Sequence, residues 1–320
     1  KVLAVRGDPV RPGDVIMHND PYGGASHGPD VAFCVPVFFE DELIGWSVTP
    51  AHHLAIGALS PGSCGIVDAV DTYAEGLQFK AIKCFDQGKR NDAVWHILRA
   101  NIRATDLVVG DMEAQIEAAR IGAARLLDLV GRYGLDATMA AFHDLMDHSE
   151  RLMRDAIRAL PDGDYTATTK IDGYLDDPNP ARRELPLVVT LRVRGDDLTV
   201  DLAGTAPQVP DKPINMPFVG TVDCAVWLTV RSILLDTVTY GPIPQNSGLT
   251  RPITIVAPEG TLVNPIFPAP VIARFCPGNQ LADTVMKAFS HIVPRQVSAG
   301  IGNLRVVALS GLRASSHWVH

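Results

Sequence analysis

The sequence is short of the features that place a protein quickly. Cysteine occurs five times, at positions 34, 64, 84, 224 and 276, with no Cys-x-x-Cys pair. An odd, scattered set fits free thiols in a reducing cytoplasm better than a disulfide frame or a zinc ribbon. No uninterrupted apolar run reaches the ~20 residues of a membrane-spanning helix. Basic side chains are in deficit: 28 Lys and Arg against 36 Asp and Glu leave a net charge of −8. That balance argues against nucleic acid and against an anionic membrane surface, both of which require clustered Lys and Arg. A phosphate loop is missing too, since "GDPVRPG" has neither the spacing nor the Lys. ATP therefore has no visible home here. The chain opens without an initiator Met or a signal-peptide pattern, and its tail "ALSGLRASSHWVH" carries no cap or turn signal. A fragment of a longer polypeptide is the expectation.

What is present is apolar and well punctuated. Of 320 residues, 47% are hydrophobic and 20% charged, enough for a substantial core and too apolar for disorder. The first hundred residues read as short strands joined by Gly/Pro turns, with "VAFCVPVFF" (31–39) and "LIGWSVT" (43–49) as a hairpin. Residues 56–66 are too rich in Gly and Pro for either regular state. A helix is expected from Asp111 to about Tyr133, with Met112, Ile116, Ile121, Leu126, Leu127, Leu129 and Val130 recurring near helical spacing. A second is expected over 136–159, with Met139, Phe142, Leu145, Met146, Leu152, Met153 and Ile157 inward, forming an antiparallel pair with the first. Strands follow at 165–175 and 185–204, the latter turning at "RGDD", then helices at 221–236 and near 280–293. The class is mixed α/β: a β-rich N-terminal part, a central antiparallel helix pair, then strands and further helices. A divide into 1–164 and 165–320 is weakly signalled, and one domain is the alternative.

Ligand-type side chains crowd into "HNDPYGGASHGPD", His18 to Asp30. His27 and Asp30 stand three apart on a turn that Pro29 stiffens. Further on, "TPAHHLAIG" sets His52 beside His53, and an extended backbone would point the two to opposite faces. Two imidazoles and one carboxylate leave positions open on a divalent ion, the arrangement of Lewis-acid chemistry, with Mn, Fe or Zn all compatible. The same residues read equally as turn caps and backbone partners. Arg99 and Arg103 are spaced to bind an anion but suit a salt-bridged or solvated face. Asp111 and Gln115 suit capping and packing, and Asn264 lies on a loop where it could meet a partner.

The ordered motifs "GDVIMHNDPYGGASHGPDV", "AHHLAIGALSPGS", "AEGLQF", "NIRATDLVVGDMEAQ", "VDLAGTAPQ" and "PQNSG" resemble the hydantoinase B/5-oxoprolinase family, from about Gly13 to Arg305. That family also includes subunits of ATP-dependent acetone and acetophenone carboxylases. The resemblance implies His27, Asp30 and His52 as metal ligands, with His53 lying behind them or carrying protons. It further implies that Asn19 and Asp20 hold the loop or touch substrate, and that Glu75 lies near the site. Many relatives read Ala-His-His-x-Asp-x-Gly-Gly, whereas Ala55 and Ala58 occupy the Asp and second Gly positions here.

What the resemblance implies for function follows. The first expectation is the metal-bearing subunit of a cyclic amidase, hydrolysing a small ring amide that an ATP-binding hydantoinase A-type partner, holding ATP and Mg, has phosphorylated. Catalytic roles then fall to His53, Asp20 and Glu75. The alternatives are a subunit of a ketone carboxylase and a non-catalytic scaffold. In each case the chain alone is expected to be inactive.

Overall fold

Strand alternation and short apolar stripes organise the N-terminal part. The protein is described by a computed structural model over residues 9–60, 69–173, 176–300 and 302, with the backbone of two short strands near the end. Cys64 and the 61–66 part of the Gly/Pro stretch lie outside the described residues. Strand β1 (Val15–His18) is buried at the centre of an antiparallel sheet ordered β3-β2-β1-β4-β5, with β2 Asp30–Phe39, β3 Glu42–His52, β4 Ile82–Asp86 and β5 Lys89–Arg90. The expected hairpin is present and longer: β2 and β3 pair from Phe39↔Glu42 to Asp30↔His52. Val31, Phe33, Val35 and Val37 share one face by the strand period of two and enter the first core.

Two helices close that core. Helix α1 (Asp92–Asn101) went unanticipated because only Val94, Trp95 and Leu98 of its ten residues are buried, too brief a stripe to stand out. Helix α2 (Thr105–Tyr133) begins a turn and a half before the expected Asp111, which is exposed mid-helix and caps nothing. Its inward face is Val108, Met112, Ile116, Ala119 and Ala123, at steps of three and four. Ile121, Leu127 and Leu129, counted into the helical spacing, are exposed, Ile121 to 61%. Ala119 and Ala123 continue the face that Val108, Met112 and Ile116 begin, and their small side chains let that part of the helix lie close to β2 and β3.

Helix α3 (Leu135–Arg158) starts after Gly134 alone, whose φ of 82° is the left-handed region glycine tolerates. Helices α2 and α3 touch, but α2 lies across β2 and β3 while α3 packs on the second sheet and on the turn at 247–250. Met153 and Ile157 are buried as expected, whereas Phe142 and Leu145 are exposed. The second sheet runs β6 (Gly163–Asp172), β7 (Glu184–Arg194), β8 (Asp197–Asp201), β9 (Ile253–Val256), antiparallel until β9, which runs parallel to β8. The turn between β7 and β8 is the "RGDD" segment. Strand β7 alternates without a break, burying Leu185, Leu187, Val189, Leu191 and Val193. Helices α4 (Asp223–Leu234), the single turn α5 (Thr237–Tyr240) and α6 (Phe275–Phe289) follow. Val226, Val230, Leu281 and Phe289 join β7 and Met153 in the second core. Strands β10 (Gly311–Leu312) and β11 (Trp318–Val319) pair antiparallel. No helix among the described residues is long and apolar enough to cross a membrane.

One loop ties the second core to the first. Tyr22 Oη donates to the Ala269 carbonyl at 2.6 Å, and Thr72 Oγ1 to the Pro268 carbonyl at 2.9 Å. Glu75 Oε1 accepts from the backbone N–H groups of Val271 and Ile272. These three side chains fix the segment that carries Arg274 over the open end of the β2–β3 hairpin.

Candidate metal centre

The register of the hairpin builds the centre. Asp30 opens β2 and His52 closes β3, directly opposite one another. Opposed residues in an antiparallel pair present neighbouring side chains on one face. His27 sits on the preceding turn, where the N–H of Asp30 donates to the His27 carbonyl at 3.1 Å. His27 Nε2 lies 3.0 Å from Asp30 Oδ1, His52 Nδ1 2.9 Å from the same oxygen, and the two nitrogens 3.0 Å apart. The imidazoles stack with centroids 4.9 Å apart. Of the described residues, these three form the group able to hold a metal ion.

The donor set fits a divalent cation. Donors about 2.1 Å from one ion and at right angles around it stand about 3 Å from each other, close to the edges found. Burial pulls the His27 pKa down to about 4, against the opposing pull of Asp30. Burial would raise the Asp30 carboxyl, but hydrogen bonds from His27 and His52 outweigh it and hold that group well below the usual carboxylate range. A neutral imidazole and an ionised carboxylate at pH 7 are the forms that ligate metal.

Asp30 Oδ2 is held from behind. Ser26 Oγ donates to it, and Arg274 Nη2 reaches it at 3.3 Å and Ser26 Oγ at 3.1 Å. Burial lowers the Arg274 pKa, and the Asp30 charge opposes that fall. The guanidinium thus turns the carboxylate so that Oδ1 faces the imidazoles. Neither Ser26 nor Arg274 was anticipated. Ser26 is an ordinary loop residue by type, and Arg274 lies 244 positions from its partner with no motif around it.

The other expected residues stand outside the triad. His53 points to the opposite face from His52, as an extended backbone requires, and its Nε2 meets Gln115 Oε1 of α2 at 3.0 Å. Gln115 Nε2 in turn donates to the carbonyls of Val31, at 2.8 Å, and Thr49. Burial lowers the His53 pKa. Asn19 is fully buried and holds the loop, donating to the Gly28 and Leu77 carbonyls and accepting from the Phe79 N–H at 2.6 Å. Asp20 accepts from the Tyr22 N–H at 3.0 Å and lies 3.5 Å from Lys80. Glu75 is 2% exposed; burial raises its pKa to about 8 against the two N–H groups whose hydrogen bonds it accepts, and its Oε2 has no partner among the described residues. Both ring nitrogens of buried His18, and His27 Nδ1, also lack partners among the described residues, leaving polar atoms for water or ligand to satisfy.

Nearby residues read from the sequence resolve plainly. Ala55 and Ala58 are buried, and Ala55 belongs to the apolar first core. Arg99 pairs with Asp106, and Arg103 donates to the Ala58 carbonyl at 3.0 Å. Asn264 Nδ2 donates to the Ala257 carbonyl within its own loop.

Residues 1–320 match the profile of Hydantoinase B/oxoprolinase. The chain belongs to the hydantoinase B/oxoprolinase family. It is 65% identical over 320 residues to the B-type polypeptide of a putative D-/L-hydantoinase from Pseudomonas sp. (strain NS671), covering 100% of this chain and 54% of that relative. The crystal structure of an ATP-dependent caprolactamase from Pseudomonas jessenii is similar at a TM-score of 0.83 and 34% identity, covering 92% of this chain and 49% of that one. A nucleotide-free acetone carboxylase shares the fold at a TM-score of 0.81 and 20% identity, over 92% of this chain and 40% of that one. This hydantoinase B/oxoprolinase-family chain therefore spans about half the length of these relatives.

Proposed function

We propose that this chain is the metal-bearing portion of a subunit of an ATP-dependent cyclic amidase. It acts on a small ring amide whose carbonyl has been phosphorylated on a separate ATP-binding subunit. The observation that carries the reading is the convergence of His27 Nε2, Asp30 Oδ1 and His52 Nδ1 on one point, in a chain so close in sequence to a putative hydantoinase component.

These three residues would hold a divalent ion such as Mn, Zn or Fe. When bound, such an ion acidifies water and polarises a carbonyl or phosphoryl oxygen. Arg274 and Ser26 fix the Asp30 carboxylate, and Asn19 shapes the loop that carries His27. With its Nε2 engaged by Gln115, His53 holds β3 to α2 instead of carrying protons. Asp20 caps the turn beside the centre, and Glu75 fixes the 267–274 segment. Free thiols at Cys34, Cys84 and Cys224 support a reducing, cytoplasmic setting.

The test uses the full-length chain co-produced with its ATP-binding partner. ATP consumption is followed with hydantoins and lactams, and separately with ketones plus bicarbonate. Consumption coupled to ring opening supports the amidase. Consumption coupled to ketone carboxylation would replace it with the carboxylase reading, and consumption with neither would remove both.

A further inference from the structure

A pocket of about 300 Å³ opens between α4 and α6, and two of its lining residues are Ser26 and Arg274. Both bond Asp30 Oδ2, so the pocket and the triad share a wall one side chain thick. Ala225, Leu228, Phe275 and Ala282 make most of the remaining surface apolar. Among the polar side chains there are Asn279 and Thr221, and Thr221 Oγ1 is buried with no partner among the described residues. A volume at the lower end of small-molecule sites, apolar walls and one unpaired hydroxyl describe a receptor for a small, mostly hydrocarbon molecule with a heteroatom. A buried hydroxyl left unpaired is unfavourable, and a ligand group that bonds it relieves that cost.

We propose that this pocket receives the hydrocarbon body of the cyclic substrate, with its reacting amide turned past Ser26 and Arg274 towards His27, Asp30 and His52. Thr221 bonds a ring heteroatom, and the small residues Ala225, Gly278 and Ala282 set the size of ring or substituent admitted. This assignment rests on the amidase reading and adds the substrate's seat to it. Gly278 gives a mild probe, because a Cβ built there meets only Thr221 Cγ2, at an ordinary 3.7 Å. Alanine is also the better helix former.

The experiment compares hydantoin with 5-benzylhydantoin on the full-length chain and its ATP-binding partner, as wild type, Gly278→Ala and Ala282→Leu. We expect kcat/KM for 5-benzylhydantoin to fall about three-fold in the first variant and more than about ten-fold in the second. The loss on the smaller hydantoin should be several-fold less in each variant, and metal content should stay at the wild-type value. Equal losses on both substrates, or no change on either, would overturn the pocket assignment. Binding of 5-benzylhydantoin, measured by calorimetry without ATP, separates the two ideas. Wild type that binds it and loses affinity in Ala282→Leu, but turns over no hydantoin, sinks the amidase reading and keeps the pocket. Binding that is absent from wild type, or unaffected by Ala282→Leu, sinks the pocket itself.

Discussion

Asp30 has one oxygen for the imidazoles and one for Arg274, and this division of labour makes the centre sensitive to single atoms. Arg274→Ala should keep the fold yet loosen the carboxylate. Losses of outer hydrogen-bond partners typically weaken metal affinity about 10–100-fold, and a chelator competition titration reads that directly. Gln115→Leu acts elsewhere: it leaves His53 Nε2 and the Val31 and Thr49 carbonyls without their partner. Stability should fall by about 1–3 kcal/mol in urea unfolding, with metal content unchanged. If metal is lost along with the glutamine, His53 has a closer role in the centre than holding β3. Glu75 carries a pH signature. Its folded pKa of about 8 lies above the ordinary carboxyl value, so the folded state binds the proton more tightly than the unfolded one. Stability is then highest below the unfolded pKa and falls as pH rises towards 8. In metal-free protein Glu75→Gln should flatten that fall, so that its melting temperature gains on wild type between about pH 5 and pH 8. A constant offset across that range would mean that Glu75 is not protonated in the fold.

At the scale of elements, the hairpin was legible because β-branched and aromatic runs flank "EDE", and its register then made Asp30 and His52 neighbours without further help. The opposite facing of His52 and His53 was legible for the same reason, the period of two. Much of the helical packing was not. In α2 the contact face passes from Val108, Met112 and Ile116 to the small Ala119 and Ala123, whereas Ile121 and Leu129, counted into the helical spacing, face out. Gln115 on that same inward face was a readable sign, since a polar side chain in a core stripe needs a buried partner. The approach of the 267–274 segment had no sequence signal, because its bonds join backbone carbonyls and N–H groups to Tyr22, Thr72 and Glu75. Gly76 belongs to this layer: its φ is 111°, and a Cβ there would meet the Ile56 carbonyl at 2.6 Å. Gly76→Ala should therefore displace Glu75 and the segment it fixes. The expected result is a lower melting temperature together with reduced metal affinity, although residue 76 touches no ligand.

Taken whole, the molecule is two apolar cores with a polar seam between them, and the proposed chemistry sits in the seam. Ligands come from the first core's hairpin, while Arg274 and the α4–α6 pocket come from the second. Such a division explains why the N-terminal part of the sequence spells out the ligands but not Arg274, which orients one of them. The resemblance in motifs pointed to His27, Asp30 and His52, but the structure supplies Arg274 and Ser26. The most direct measurement of the central claim is elemental analysis of the full-length protein, purified with its ATP-binding partner, as wild type and as His27→Ala and His52→Ala. The account predicts a divalent transition metal near one ion per chain in wild type, lost from both variants together with ATP-dependent turnover while circular dichroism stays native. Full turnover in a His27→Ala protein that holds no metal would contradict it.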